Sequence, residues 1–417
     1  MDRLIKLALS SIVRRGSLEL TTASGAKFSF GDGTGKPVEV RFATAAAQRA
    51  IMLDPELRLG EAYMDGTFIV ERGTISDFLE VMLQNMGLRR AMPFAKALVF
   101  LRKVKHALFQ WNIRSVARKN AKHHYDVDFR IYRLFLDPDL QYSCAYYEKN
   151  DYTLEQAQAA KKRHIAAKLL LKPGQRILDI GCGWGGMGLY LARSNEARVT
   201  GVTLSKEQLA VARARTADEG LTETVDFRLQ DYRDVSERYD RIVSVGMFEH
   251  VGPKHYRTFF RKCFDLLDED GVMLLHTVGR YDPPSPTNAW VANYIFPGGH
   301  APSYSELASV IEQSGFIMTD LEVLRLHYAK TLAAWRDNFL ANRQKVLEYA
   351  DEKFLRMWEF YLSGFEASFR HYGLVVFQIQ LAKSMATVPI TRDYIYLPET
   401  RKTAFTSKPN LKIVTGD

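Results

Sequence analysis

The chain has 417 residues, 47% apolar and 25% charged, an ordinary globular composition long enough to bury two cores. No run of 18 or more apolar residues is present to span a bilayer, and the opening MDRLIKLALSSIVRRGS has neither the longer apolar core nor the small-residue cleavage site of a signal peptide. Three cysteines, Cys144, Cys182 and Cys263, share no paired or metal-ligand spacing, which argues against disulfides and zinc and for a cytoplasmic compartment.

The net charge of +9 lies wholly in the first 122 residues, which hold 20 Lys+Arg against 11 Asp+Glu. Within them, Leu4–Val13 has helical apolar spacing with basic flanks. Ser17–Ala43 breaks into SLELTTASG, AKFSFGDGTG and PVEVRFAT, three short alternating segments that predict a small antiparallel sheet. A helix follows in LDPELRLGEAYMDG, capped by Asp54 ahead of Pro55, and another runs from about Thr74 to Leu88. Between Val81 and Tyr125 ten basic residues and no acidic one alternate with large apolar side chains. That mixture suits an anionic lipid surface, where each Lys or Arg adds roughly 1 kcal/mol; a solvated helix face over a core is the competing reading. Nucleic acid is disfavoured because no helix-turn-helix, RRM or zinc pattern accompanies the charge. A domain boundary is expected near residues 115–122, giving a lipid- or membrane-binding unit 1–120 and a catalytic unit 121–417.

The second unit opens with a helix over about Leu154–Leu171, stopped by Lys172-Pro173-Gly174. RILDIGCGWGGMG (176–188) then reads as strand, glycine-rich turn and helix, a shape that lets backbone approach a ligand at a helix N-terminus. Alone, such a turn is a weak signal. Strands at Arg198–Val202, Val225–Leu229, Asp240–Val245 and Val272–Val278 alternate with helices, which predicts a parallel sheet covered on both faces, with ligands at the carboxyl ends of its strands. Residues 279–303, rich in Pro and Gly, are too long for a plain connection and suggest a lid. A strand Phe316–Leu324, a long helical passage over 331–368 and a last strand, Leu374–Leu381, complete the pattern. The second strand ends in Val202-Thr203-Leu204-Ser205 without the acid that a dinucleotide-binding unit places there, so a nicotinamide cofactor is disfavoured.

Seven segments, YSCAYY (142–147), LDIGCGWGG (178–186), GVTLSKEQ (201–208), GMFEHVG (246–252), LLHTVG (274–279), HYAKTLAAW (327–335) and FQIQLAKS (377–384), resemble in order and spacing the cyclopropane-fatty-acyl-phospholipid synthases and their mycolic-acid methyltransferase relatives. Residues 1–120, including LGEAYMDG, resemble the extra domain of the phospholipid-acting branch. The resemblance implies an α/β, Rossmann-like class I S-adenosylmethionine (SAM) methyltransferase domain behind an N-terminal α+β lipid-binding domain. The implied reaction is transfer of a methylene unit onto the cis double bond of a phospholipid acyl chain; a methyl-branched or methylene product is the alternative. It further implies a homodimer lying peripherally on the inner face of the cytoplasmic membrane.

By the same resemblance Tyr142 and Ser143 approach the SAM carboxylate, Asp179, Gly181, Cys182, Gly183 and Trp184 form the cradle, Thr203 and Gln208 serve the ribose, and Gln230, Asp231 and Tyr232 the adenine. Thr203 and its neighbours could equally cap the following helix, and Trp184 could be a core aromatic. Alkylating an isolated alkene leaves a cation that must be stabilised and a proton that must be removed before the ring closes. Cys144, Glu249, His276 and Tyr328, joined by the Val278 N–H, are the positions implied to bind a bicarbonate ion as that base. Their donor and acceptor chemistry suits the role, although each has a packing alternative: a buried thiol, a satisfied core histidine, a packed tyrosine. His250 is a candidate for supporting this group, and Cys263 reads as structural. One segment departs from the family pattern: HHYDVDFRIYRLFLD (123–137) carries Asp128, Phe129, Arg130 and Ile131 where Gly, Asn, Asp and Phe are usual.

Overall fold

The computed structural model describes residues 1–86 and 127–396. The boundary expected at 115–122 and all but the first few residues of the basic apolar stretch 81–125 lie outside them. The described residues form two sheets.

The first is four-stranded, in the order β2-β1-β3-β4, with β1 Ser17–Thr21, β2 Lys27–Phe30, β3 Pro37–Phe42 and β4 Phe68–Arg72. It is mixed rather than antiparallel as expected, because β3 runs parallel to β1 with Pro37 opposite Ser17. The cause is the Gly31–Gly35 turn. The Gly33 N–H donates to Gly16 O at 3.0 Å and the Gly16 N–H to Asp32 Oδ1 at 3.0 Å, which pins the turn to the start of β1 and releases the chain beside it. Gly31 has φ +93°, and a Cβ there would lie 2.1 Å from Gly16 O. Gly31→Ala is therefore expected to destabilise the protein by about 1–3 kcal/mol, measurable as a lowered Tm on thermal unfolding.

The second sheet has seven strands in the order β10-β11-β9-β8-β5-β6-β7. They are β5 Arg176–Ile180, β6 Arg198–Thr203, β7 Val225–Leu229, β8 Tyr239–Val245, β9 Leu267–Arg280, β10 Ile317–Leu324 and β11 Leu374–Ala382. Strands β5 to β9 pair in parallel, but β11 inserts antiparallel between β9 and β10. The sheet is thus mostly, not wholly, parallel. β11 returns from helix Glu352–His371, which delivers the chain at the opposite end from a βα crossover. Strand segments buried on both faces are mostly apolar, as in Val272–Leu275, because this layering covers both sides of the sheet; the polar residues Asp179 and His276 stand toward the carboxyl ends of their strands.

The helical passage is three helices, His327–Ala341, Arg343–Leu347 and Glu352–His371, the last capped by Asp351. With helix Phe129–Phe135 they enclose an aromatic core in which Phe135, Trp335, Trp358 and Tyr361 are all 2% exposed or less. The unusual residues at 128–131 fit locally: Asp128 caps helix Phe129–Phe135 through the Arg130 N–H at 2.8 Å, Phe129 packs on Trp184 and Ile131 is buried.

Helix Glu352–His371 also carries the first unit. Helices Pro55–Met64 and Ile75–Met86 pack on it, Tyr63 donates to Glu359 at 2.8 Å, His371 meets Glu80 at 2.6 Å, and Arg336 reaches Ser76 and Glu366. The segment expected as a lid is fastened at both ends. Asn288 caps helix Ala289–Tyr294, Trp290 sits against Gly60 and Met64, Tyr294 donates to Glu61, and Ser303 opens the next helix with a capping box. It forms a wall between the two units.

Candidate active site

Two cavities meet at the carboxyl ends of β5, β6, β8 and β9. The smaller, about 180 Å³, is lined by the β5 turn and helix start, the ends of β6 and β7, and the segment 140–143. Tyr142, Ser143, Asp179, Gly181, Cys182, Gly183, Trp184, Thr203, Gln208, Gln230, Asp231 and Tyr232 all line it. The larger, about 390 Å³ and mostly apolar, takes in Cys144, Glu249, His276, Val278 and Tyr328 together with Leu59, Leu79 and Met82 of the first unit. Tyr142, Ser143, Gly246 and His250 line both, so the two spaces share a thin partition.

The glycine turn is shaped for a ligand. Gly181 has φ +82° and a Cβ there would lie 2.6 Å from Met247, whereas at Gly183, φ +54°, a Cβ would meet nothing within 4 Å. The first glycine is required by packing; the second leaves open space. Asp179, 1% exposed at the end of β5, keeps Oδ2 without a hydrogen-bond partner among the described residues, and burial pushes its carboxyl up to about 7. An orphaned buried carboxylate beside an open glycine turn fits a ligand that brings its own donor. Thr203 and Gln208 line the cavity and bond to each other, Thr203 Oγ1 donating to Gln208 Oε1 at 2.9 Å, while the capping of helix Lys206–Asp218 falls to Ser205. Asp231 is gripped by Arg233 through two bonds of 2.9 and 2.6 Å, which ties the turn after β7 to the cavity wall. Trp184 is likewise both: it lines the cavity and packs on Tyr132 and Phe129.

Strand register builds the second group. In the antiparallel β9–β11 ladder Gln378 lies opposite His276, and Gln378 Nε2 donates to His276 Nδ1 at 3.1 Å, which leaves the ring proton on Nε2. Burial, with Lys161 and Lys168 nearby, holds this imidazole well below its ordinary pKa, so it is neutral. Glu249 follows β8 and accepts the Val278 N–H on Oε1 at 2.6 Å. The Val278 N–H, expected to face a bound anion, is therefore donated to Glu249. Oε2 of Glu249 has no hydrogen bond among the described residues, and burial raises the carboxyl to about 7. Cys144 is 1% exposed and its thiol is pushed up by burial, which keeps it protonated and a weak donor. His250, between the cavities, is held at about 4 by burial and is also neutral. Cys263 is fully buried in the apolar core, as its helical position suggested.

Sequence reasoning missed Lys161. It lies on helix Leu154–Lys168, is 0% exposed, and its Nζ donates to Gln141 Oε1 and Ser143 Oγ, both at 2.7 Å. Gln158 from the same helix donates to the Gln141 and Ser143 carbonyls at 3.1 and 3.0 Å, and Asp137 accepts the Gln141 N–H. The partition residues are thus clamped from below by a buried polar face. Burial lowers the Lys161 pKa to about 8.

The chain matches the mycolic acid cyclopropane synthetase family over residues 113–379, and a domain family of unknown function over residues 7–88. It is 38% identical over 351 residues, covering 84% of this chain and 89% of the relative, to a cyclopropane-fatty-acyl-phospholipid synthase of Escherichia coli. It is 40% identical over 285 residues, covering 66% and 72%, to a probable fatty acid methyltransferase of Pseudomonas putida. Among solved structures, a mycolic acid cyclopropane synthase in complex with SAH and CTAB superimposes with a TM-score of 0.60 at 35% identity, over 63% of this chain and 97% of that one.

Proposed function

The chain belongs to the mycolic acid cyclopropane synthetase family and is a SAM-dependent methyltransferase; from that premise we propose that it transfers a methylene unit to the cis double bond of acyl chains in membrane phospholipids, closing a cyclopropane ring with bound bicarbonate as the base. The observation that carries this reading is the adjacency of the two cavities. One is a polar cradle of about 180 Å³; the other is a mostly apolar space of about 390 Å³ whose lining includes Cys144, Glu249, His276 and Tyr328.

Bound SAM supplies an electrophilic methyl group, and bound bicarbonate a proton acceptor. The orphaned Asp179 Oδ2 and the open Gly183 turn fit the first; Tyr142 and Ser143, at the partition, would hold its amino-acid end. The orphaned Glu249 Oε2 and the His276 Nε2–H fit the second, one as acceptor and one as donor. The chain's own residues then do three things. They orient the alkene against the partition, since a large share of the barrier is positional. They exclude water, because Tyr142, Phe296, Tyr328 and Tyr361 are among the walls of the larger cavity. The same aromatic faces favour positive charge developing on the chain, which neutral His276, neutral His250 and the protonated Cys144 thiol do not oppose.

Incubating the purified protein with SAM, bicarbonate and vesicles of cis-unsaturated phospholipid is expected to give a product heavier by one CH2 that resists mild hydrogenation. A product of that mass that still takes up hydrogen would instead establish the second reading, a fatty-acyl methyltransferase, which the likeness to the Pseudomonas putida protein favours. The peripheral membrane location and the dimer are part of the proposal. No described helix is long and apolar enough to cross a membrane.

A further inference from the structure

Helix Glu352–His371 carries a glycine, Gly364, in its interior, where glycine weakens a helix more than any residue but proline. Packing explains such a residue elsewhere: at Gly60, on helix Pro55–Met64, a Cβ would lie 2.5 Å from Trp290 Nε1. It does not explain Gly364. Within 4 Å a Cβ there would meet, among the described residues, only Leu79 Cδ1, at 3.9 Å, an ordinary van der Waals contact. Its φ is not positive either, so backbone conformation does not ask for glycine. What the missing side chain leaves is space in the larger cavity, which Gly364 and Leu79 both line.

The opening lies in a fastened joint. Polar contacts on either side of Gly364 hold helix Glu352–His371 to the first unit: Tyr63 donates to Glu359 at 2.8 Å, Arg336 joins Ser76 to Glu366, and His371 meets Glu80 at 2.6 Å. From helix Ile75–Met86, Leu79, Met82, Leu83 and Met86 line the cavity at the i, i+3, i+4, i+7 spacing of one helical stripe. The unbranched methionines can adapt to what lies against them. Across the gap, helix Glu352–His371 contributes Phe360, Gly364 and Phe365. These walls are hydrocarbon and aromatic and carry no charge, which suits a methylene chain and penalises a polar ligand. The gap is also continuous with the reacting groups. Tyr361, one turn or about 4.5 Å along the axis before Gly364, has its hydroxyl 3.0 Å from that of Tyr142, and Tyr142 lines both cavities.

We propose that the substrate's acyl chain runs through this gap, between helix Ile75–Met86 of the first unit and helix Glu352–His371, and that Gly364 is the specificity-determining residue that keeps the passage wide enough. The passage rests on the phospholipid reading above. It is tested with Gly364→Ala and Gly364→Leu in neutral-detergent micelles of cis-unsaturated phosphatidylethanolamine. Both residues are better helix formers than glycine, so the Tm of each variant should match or exceed that of the wild type by about 1–3 °C. KM for the lipid should nevertheless rise about threefold in Gly364→Ala and at least tenfold in Gly364→Leu, with kcat within about twofold. SAM affinity by calorimetry should be unchanged, because Gly364 is not part of the cradle. Gly364→Cys gives a direct reading: N-ethylmaleimide should alkylate it, and saturating cis-unsaturated phosphatidylethanolamine should slow that alkylation about tenfold. The wild type, whose three cysteines are buried, is the blank. A lowered Tm in Gly364→Ala would make the glycine a packing requirement and overturn the passage. So would an unchanged KM in Gly364→Leu, a loss of SAM affinity in step with activity, or a thiol alkylated equally fast with lipid present; each leaves the parent reading standing if the wild type modifies the lipid. A wild type that modifies no cis-unsaturated phospholipid overturns both.

Discussion

Glu249→Gln is expected to lower turnover by roughly 10²–10⁴-fold while the SAM dissociation constant stays within about twofold. The amide keeps an oxygen for the Val278 N–H, so the loop after β8 retains its anchor at 2.6 Å. What is lost is the charge. Glu249 lines the larger cavity and not the cradle, so a fall in SAM affinity as large as the fall in rate would remove it from the base site. The pH dependence gives a second check. With its carboxyl raised to about 7, Glu249 gains its charge as pH rises through neutrality, so wild-type kcat should climb across that window and the climb should be missing in the variant. Stability should move the opposite way. The folded pKa lies above the ordinary 4.5, so between those values the folded state binds more protons than the unfolded one, and stability is lost as pH rises. Above pH 8 the glutamine variant should therefore be the more stable protein, by on the order of 1–3 kcal/mol, and in thermal unfolding near pH 4 that advantage should vanish.

A stabilised but inactive variant is what a site residue held against its solvation preference should give. Glu249 was legible in the sequence for that reason: a carboxylate directly after an apolar strand has no water to face, and the GMFEHVG segment placed it at the sheet's carboxyl edge. The cradle was legible likewise, because glycines at 181 and 183 and the missing acid after β6 are local statements about backbone and charge. Long-range pairing was not. Nothing in PVEVRFAT shows that β3 will lie parallel to β1, since a one-turn detour at Gly31–Gly35 decides it, and LVVFQIQL reads the same in either direction of β11. The Val278 N–H was assigned to a ligand because its partner, Glu249 Oε1, comes from another strand end. The contribution of helices Pro55–Met64 and Ile75–Met86 to the larger cavity also depends on how the first unit docks, and no periodicity within either helix encodes it.

Lys161 is the sharpest case. In LEQAQAAKKRHIAAK it is one of four Lys and Arg residues, with Lys162, Arg163 and Lys168, and nothing local marks it as the buried partner of a distant segment. In the fold, the helix is covered on that side and Lys161 has no exposed surface. A fully buried ammonium is costly unless it is spent on specific partners, and both of its partners line the smaller cavity, Ser143 at the partition. Lys161→Met, similar in length and apolar, should therefore weaken SAM binding by about 10–100-fold, since each hydrogen bond to a charged group contributes about 1.5–3 kcal/mol and Gln141 Oε1 and Ser143 Oγ would be left without their donor. The pH dependence separates charge from geometry. With a pKa near 8, the wild-type amine becomes neutral as pH rises above that value yet still carries two N–H groups for Gln141 and Ser143. SAM affinity should then lose a few-fold between pH 7 and pH 9, by loss of attraction between the ammonium and the SAM carboxylate, and that loss should be missing in Lys161→Met. The variant's remaining pH dependence is the one that Asp179, raised to about 7, gives to both proteins. Calorimetric titrations across that range decide it: a methionine variant that binds SAM as tightly as the wild type would reduce Lys161 to a packing residue, whereas weak binding that lacks the wild-type loss above pH 8 makes it the positioning residue for the amino-acid end of the cofactor.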